Sequence, residues 1–190
     1  MLILALADLY VPERATDLPK QFKKLLQPNG KINKVVCLGN TGSSKLVKEY
    51  LESLTNDKSN FHMVRGETDT DVTLPQSLVL TVDNLKIGII NGFQVVPKTD
   101  ALSLLNHARM MDADILISGG THRVEAYTLD GKFFVNPGTA TGAFTTDSLE
   151  PVDTSFCLLE VVNNTCTLYL YTLVDGDVKI DKLVYSKDSV

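Results

Sequence analysis

Ile115-Leu116-Ile117-Ser118-Gly119-Gly120-Thr121-His122, running on through a hairpin to Asn136-Pro137-Gly138-Thr139, is the stretch from which the fold is read. Its apolar start, ending in a Gly/Ser/Thr/His loop, reads as a buried strand whose C-terminal end presents donors. That is where α/β sheets place their ligands. Val124–Leu129 and Lys132–Val135 alternate around Asp130-Gly131, a dipeptide suited to the positive φ angles of a two-residue hairpin turn. His122 is thereby set beside the Asn136–Thr139 loop.

The same grammar extends towards the N-terminus. Leu2–Ala7, Val35–Leu38 and Phe61–Val64 are short apolar strands, followed by Asp8-Leu9-Tyr10, Gly39-Asn40 and Arg65-Gly66-Glu67-Thr68-Asp69. Between them, Asp17 is expected to cap a helix with Leu18, Phe22, Leu25 and Leu26 on its apolar side, stopped by Pro28-Asn29-Gly30. Ser43 or Ser44 is expected to cap another, with Leu46, Val47, Tyr50, Leu51 and Leu54 on one face. Strand–loop–helix repetition predicts a parallel or mixed sheet with crossover helices.

Towards the C-terminus the pattern changes. Leu78–Val82 and Lys86–Ile90 flank Asp83-Asn84 as a hairpin, and Asp100–Met111 carries Leu102, Leu105, Ala108 and Met111 at helical spacing. Ser155–Val162, Thr165–Val174 and Val178–Tyr185 then form an antiparallel meander. No repeat, low-complexity tract or linker interrupts the chain, so residues 1–190 are expected to form one domain.

Composition narrows the function classes. A chain of 190 residues with 44% hydrophobic and 22% charged residues buries a core without disulfides. A net charge of −5 offers no basic field, so neither nucleic acid nor direct membrane insertion is expected. Met1–Ala7 lacks a basic flank and stops at Asp8, so it is a strand rather than a signal peptide. Cys37, Cys157 and Cys166 stand singly in apolar runs and read as buried thiols of a reducing cytoplasm.

Asp8, Asn40, Glu67, Asn91 and His122 each follow an apolar strand, and parallel strands would collect them at one rim. In order and spacing, Asp8-Leu9-Tyr10, Gly39-Asn40, Gly66-Glu67, Asn91-Gly92-Phe93 and Gly119-Gly120-Thr121-His122 resemble the motifs of the calcineurin-like metallophosphoesterases. The chain is more similar still to a non-enzymatic branch, the small metallophosphoesterase-like core subunit of retromer. Leu18-Pro19 with Phe22–Leu26, Lys86-Ile87-Gly88, Gln94-Val95-Val96-Pro97, Asp114–Gly119, Asn136–Ala143 and Gly176–Lys179 carry that likeness.

The resemblance implies a four-layer α/β/β/α sandwich with mixed sheets and a former metal site at one edge. It also implies a peripheral place on endosomal membranes, within a cargo-recycling coat. The partners would be an α-solenoid subunit, through it the other core subunit, and regulators such as GTPase-activating proteins.

The departures from the enzyme pattern bear on chemistry. A two-metal phosphoesterase needs a bridging carboxylate and several imidazoles to hold both cations. The chain has three histidines, and only His122 stands at a motif position. Tyr10 replaces a histidine, Asn40 the bridging aspartate, Glu67 an asparagine, and Asn91 and Gly120 two further histidines. Phe93 stands where enzymes use another. The remnant Asp8, Asn40, Glu67, Asn91 and His122 suits at most one weakly held divalent cation, so no cofactor and no catalytic residue is expected.

Simpler roles compete at each position. Asp8 would serve as a loop cap, His122 as a hydrogen-bonded histidine, His62 and His107 as structural or surface residues, and Arg14 and Arg65 as solvated or salt-bridged. By resemblance, Val96 meets the solenoid, with Val95, Pro97, Phe93 and Tyr10 around it. Leu158, Tyr171 and Ile180 form an apolar patch for regulators. A residual single-metal phosphatase or phosphodiesterase is the alternative, and a plain α/β domain of another function leaves the ordered motifs unexplained.

Overall fold

Strand β1 (Leu2–Leu6) is apolar at every position because it is covered on both faces. Ile3, Ala5 and Ala7 point to one side, whereas Leu4 and Leu6 point to the other. A strand buried on both faces loses the polar alternation of a half-exposed one. In the computed structural model, which describes residues 1–28, 30–148 and 150–187, β1 lies mid-sheet. It pairs in parallel with β2 (Lys34–Cys37), which pairs in parallel with β3 (Phe61–Met63).

The second sheet gathers β4 (Ser77–Val82), β5 (Leu85–Ile90), β6 (Ile115–Ile117), β7 (Val124–Leu129) and β8 (Lys132–Pro137) in the order β4-β5-β6-β8-β7. Here β5, β6 and β8 run parallel. The meander β9 (Thr154–Val162), β10 (Thr165–Val174) and β11 (Asp177–Ser186) joins the first sheet through β9 against β1. That makes six strands, β11-β10-β9-β1-β2-β3.

The two sheets close on a shared core that includes Ile3, Val36, Ile87, Ile117, Val135 and Leu159. Outside the first sheet, α1 (Lys20–Leu25) and α2 (Lys45–Ser53) bury Phe22, Val47 and Leu51 against Leu4, Leu6 and Phe156. Outside the second, α3 (Ala101–Met110) buries Leu104, Leu105 and Ala108 against Phe134. The layers are therefore α/β/β/α, the fold expected from the resemblance.

The helices depart from expectation in detail. Pro19, not Asp17, precedes α1, and the Asp17 carboxylate instead accepts from the Leu18 N–H and pairs with Lys23. Asn29 of the expected stop lies outside the described residues. Ser44 occupies the cap position of α2 without a side-chain cap bond. Leu25, Leu46 and Leu102 are exposed. A helix buries a line at i, i+4, i+7. In α2 that line is Val47, Leu51 and Leu54, and Leu46 lies a quarter-turn away from it.

Asp100 does cap α3, accepting the Ser103 N–H at 2.7 Å. Hydrogen bonding by the Ser103 side chain and backbone holds the Asp100 carboxyl below its ordinary value. A lowered acid stabilises the fold above its unfolded-state pKa, near pH 4, and ceases to as pH falls through the lowered one. Asp100→Ala is thus expected to lower the melting midpoint at pH 7, with the difference from wild type closing under strong acid.

Candidate functional site

The parallel strands β1, β2, β3, β5 and β6 all end at one edge, where their following loops meet. Asp8, Asn40, Asn91 and His122 are buried there side by side, while Glu67 faces solvent. Asp8, Tyr10, Asn40 and His122 adopt left-handed backbone, with φ between 48° and 60°. Such conformations in residues other than glycine collect at functional sites because the surroundings must hold them in place.

Hydrogen bonds do the holding. The Asp8 carboxylate accepts from Asn40 Nδ2 at 2.9 Å and from the Gly120 N–H at 2.7 Å. Burial pushes its pKa up, against the pull of His122 and of those two bonds. Thr139 Oγ1 donates to the Asp8 carbonyl and Thr141 Oγ1 to that of Leu9, pinning the loop after β8 onto the loop after β1. Gly138 lets the same loop pass β9, since a Cβ there would lie 2.1 Å from Ser155 Oγ. Asn91 Nδ2 donates to the Leu38 carbonyl at 2.5 Å, and its Oδ1 has no partner among the described residues.

His122 Nδ1 lies 2.6 Å from the Ala143 carbonyl, which can only accept, so Nδ1 carries the proton. The imidazole stacks on Tyr10 with centroids 5.4 Å apart. Arg14 sits 4.0 Å from the Tyr10 ring centroid and 5.1 Å from that of Phe144, and donates to the Phe144 carbonyl. Arg14 is therefore neither simply solvated nor salt-bridged: it is the lid of a stack over the rim. Glu67 lies 3.7 Å from Lys98, which Asp147 also holds at 2.8 Å.

The sequence reading missed Thr68 and Asp69, which position Asn40. Asp69 Oδ2 accepts from the N–H groups of both Asn40 and Gly66 at 2.8 Å. An aspartate three residues after a loop glycine is the signal that could have marked it.

The donor set does not fit a two-metal centre. Among the described residues no three His, Cys, Asp or Glu side chains are gathered to hold a metal ion. Asn40 presents an N–H to Asp8 where a bridging ligand must present an oxygen. No hydrolytic step is therefore assigned to the site.

The expected solenoid-facing residues divide. Val96 is 81% exposed and Pro97 is exposed, and Phe93 is half-buried. Val95 packs with Leu104 and Leu105 and is 1% exposed, and Tyr10 is buried under Arg14. Neither of these two offers its side chain to a partner. On the outer face of the six-stranded sheet, Tyr171 pairs with Ile180 and stands diagonal to Leu158. Ile180 is 53% exposed, and the other two are half-buried.

A model of the calcineurin-like phosphoesterase superfamily domain matches residues 1–164. Vacuolar protein sorting-associated protein 29 (Vps29) of Saccharomyces cerevisiae is 35% identical over 285 residues, spanning 99% of this chain and 100% of the yeast protein. The chain belongs to the Vps29 family. Among solved structures, Chaetomium thermophilum Vps29 is 41% identical with a TM-score of 0.91, covering 98% of this chain and 99% of that one. The same Chaetomium protein is known in complex with a cyclic peptide, at a TM-score of 0.87. Entamoeba histolytica Vps29 complexed with Zn²⁺ is 38% identical with a TM-score of 0.88, covering 97% of this chain and 99% of that one. The four-layer fold is thus that of the Vps29 structures.

Proposed function

We propose that the chain is a non-catalytic scaffold subunit of the retromer coat, docking an α-solenoid subunit at the rim and regulators on the meander. The observation that carries this reading is the conversion of the rim. Its buried polar groups bond to one another, and Val96 and Pro97, in the loop after β5 that also carries Asn91, are exposed and apolar. Exposed aliphatic residues next to a rigid polar floor suit an interface anchor. The peptide complex of the Chaetomium relative supports protein binding as the family's activity. Endosomal membranes would be reached through the complex, since no helix among the described residues is long and apolar enough to cross one.

The outer-sheet patch is the second surface. Leu158, Tyr171 and Ile180 lie within one neighbourhood of the β9–β10–β11 register, and contiguous exposed apolar area marks interaction sites. Leu158→Asp is expected to abolish capture of a GTPase-activating regulator while leaving solenoid binding intact. Loss of both would mean that the substitution damages the fold.

A residual single-metal phosphoesterase is the second reading, favoured by the superfamily match and by the Zn²⁺ complex of the Entamoeba relative. A chromogenic phosphodiester assayed with Mn²⁺ and with Zn²⁺ separates the two. The scaffold reading expects no turnover above buffer; turnover abolished by Asp8→Ala would establish the enzyme.

A further inference from the structure

We infer that β11 is a self-pairing edge, through which two copies of the chain join their six-stranded sheets antiparallel about Ile180. The pairing needs only the fold, whereas its consequence for regulators rests on the function proposed above.

β11 is the last strand of its sheet, and among the described residues its ten residues pair with β10 alone. The register fixes which of its backbone groups are left over. It runs unbroken from Thr165 against Ser186 to Val174 against Asp177. One step beyond Ser186, the Lys187 N–H donates to the Asn164 carbonyl at 2.9 Å. Hydrogen-bonded and non-hydrogen-bonded pairs alternate along an antiparallel ladder. The odd-numbered residues of β11 therefore point their N–H and C=O groups at β10, and Val178, Ile180, Lys182 and Val184 point theirs off the edge. Such a row of unpaired groups is a template for another strand.

Charged side chains ordinarily keep an edge single. On β11 they do the reverse, because Lys179-Ile180-Asp181 is its own complement when one strand is turned against another. With Ile180 opposite Ile180 of a second copy, each Lys179 stands opposite an Asp181. Both of these pairs fall at non-hydrogen-bonded positions, where cross-strand side chains are closest. Val178 meets Lys182, whose methylene stem covers it. Sliding the second copy by two residues sets either Asp181 against Asp181 or Lys179 against Lys179, so the charges select the central register. Lys179 and Asp181 are exposed, and the residues facing them on β10 are the uncharged Thr172 and Leu170.

The pairing would cover Ile180 beside Tyr171, and so occupy the patch assigned to regulators. A strand edge buries less than a standard interface, so the association is weak and favoured where copies are concentrated.

The test is sedimentation equilibrium of the whole chain over a rising concentration series. Wild type is expected to pass from monomer to dimer. Lys179→Glu sets two pairs of like charges across the edge, and is expected to weaken the dimer about tenfold. Lys179→Asp combined with Asp181→Lys restores the complement in reverse and is expected to recover it. A wild type that stays monomeric at millimolar concentration, a dimer indifferent to Lys179→Glu, or one that the exchanged pair does not recover overturns the inference.

Disulfide trapping checks the register. Ile180→Cys is expected to give a linked dimer under mild oxidation, since its Cα atoms would lie about 5.5 Å apart. Val184→Cys, on the same edge but with no copy of itself opposite, is expected to stay unlinked, and equal trapping of the two contradicts the register. If the dimer forms as described and a GTPase-activating regulator binds it as well as the monomer, the assignment of the patch to regulators fails while the pairing stands.

Discussion

Val96→Asp is expected to weaken capture of the retromer α-solenoid subunit at least ~30-fold, with the melting midpoint of the isolated chain unchanged. The residue is 81% exposed, and its backbone carbonyl accepts from Ser103 Oγ at 3.3 Å. A surface change of this kind costs the free protein little, typically within about 0.5 kcal/mol. In the complex the carboxylate would be desolvated against an apolar pocket. Truncating a central anchor already costs about 2 kcal/mol, and an unpaired buried charge adds to that. Val95→Asp is the contrasting variant. Its side chain lies inside the α3 layer, so it is expected to unfold the protein and report nothing about docking. An unchanged affinity for Val96→Asp would remove the rim as the solenoid surface.

Phe156→Ala is expected to cost about 3–5 kcal/mol of folding stability, seen as a lower denaturant midpoint with an unchanged slope. The ring is fully buried, meets Phe22 edge-on at 4.7 Å and stacks on Tyr171 at 4.6 Å. It thus joins α1 to the six-stranded sheet and supports Tyr171 from beneath. Its removal leaves a cavity between layers that rigid strands cannot close. Tyr171→Ala, at the half-buried outer side of the same stack, should cost distinctly less. A loss below about 1 kcal/mol for Phe156→Ala would mean that α1 is not held in this way.

The parts of the fold that could be read from the sequence were those where a local rule and the tertiary environment agree. The turns at Asp83 and Asp130-Gly131 carry the positive φ angles that their residue types favour. The runs Leu2–Ala7 and Ile115–Ile117 are apolar throughout because both faces are covered. The rim residues Asp8, Asn40, Asn91 and His122 were legible for a topological reason, since each lies in the loop after a strand of a parallel set.

What could not be read depends on rotation and on partners distant in sequence. Val95 and Val96 are the same residue type in a loop with no period, yet one faces α3 and the other solvent. Tyr10 looked like an interface aromatic. It is buried because Arg14 covers it and His122 stacks beside it, a neighbourhood created only when the loops after β1 and β6 meet. Thr68 and Asp69 have ordinary loop identities, and their role appears only once Asn40 lies against them. Leu25, Leu46 and Leu102 satisfied helical spacing in sequence but lie beside the packed lines, which keep the expected Phe22 and Leu26, Val47, Leu51 and Leu54, and Leu105 and Ala108.

The claim that this chain serves as a metal-independent docking scaffold is tested most directly by calorimetric titration of the retromer α-solenoid subunit into the wild-type protein in excess EDTA. Saturable one-to-one binding, undiminished relative to the same titration in Mn²⁺, is the expected result. No binding in EDTA, or binding that appears only when Mn²⁺ is restored, would contradict it.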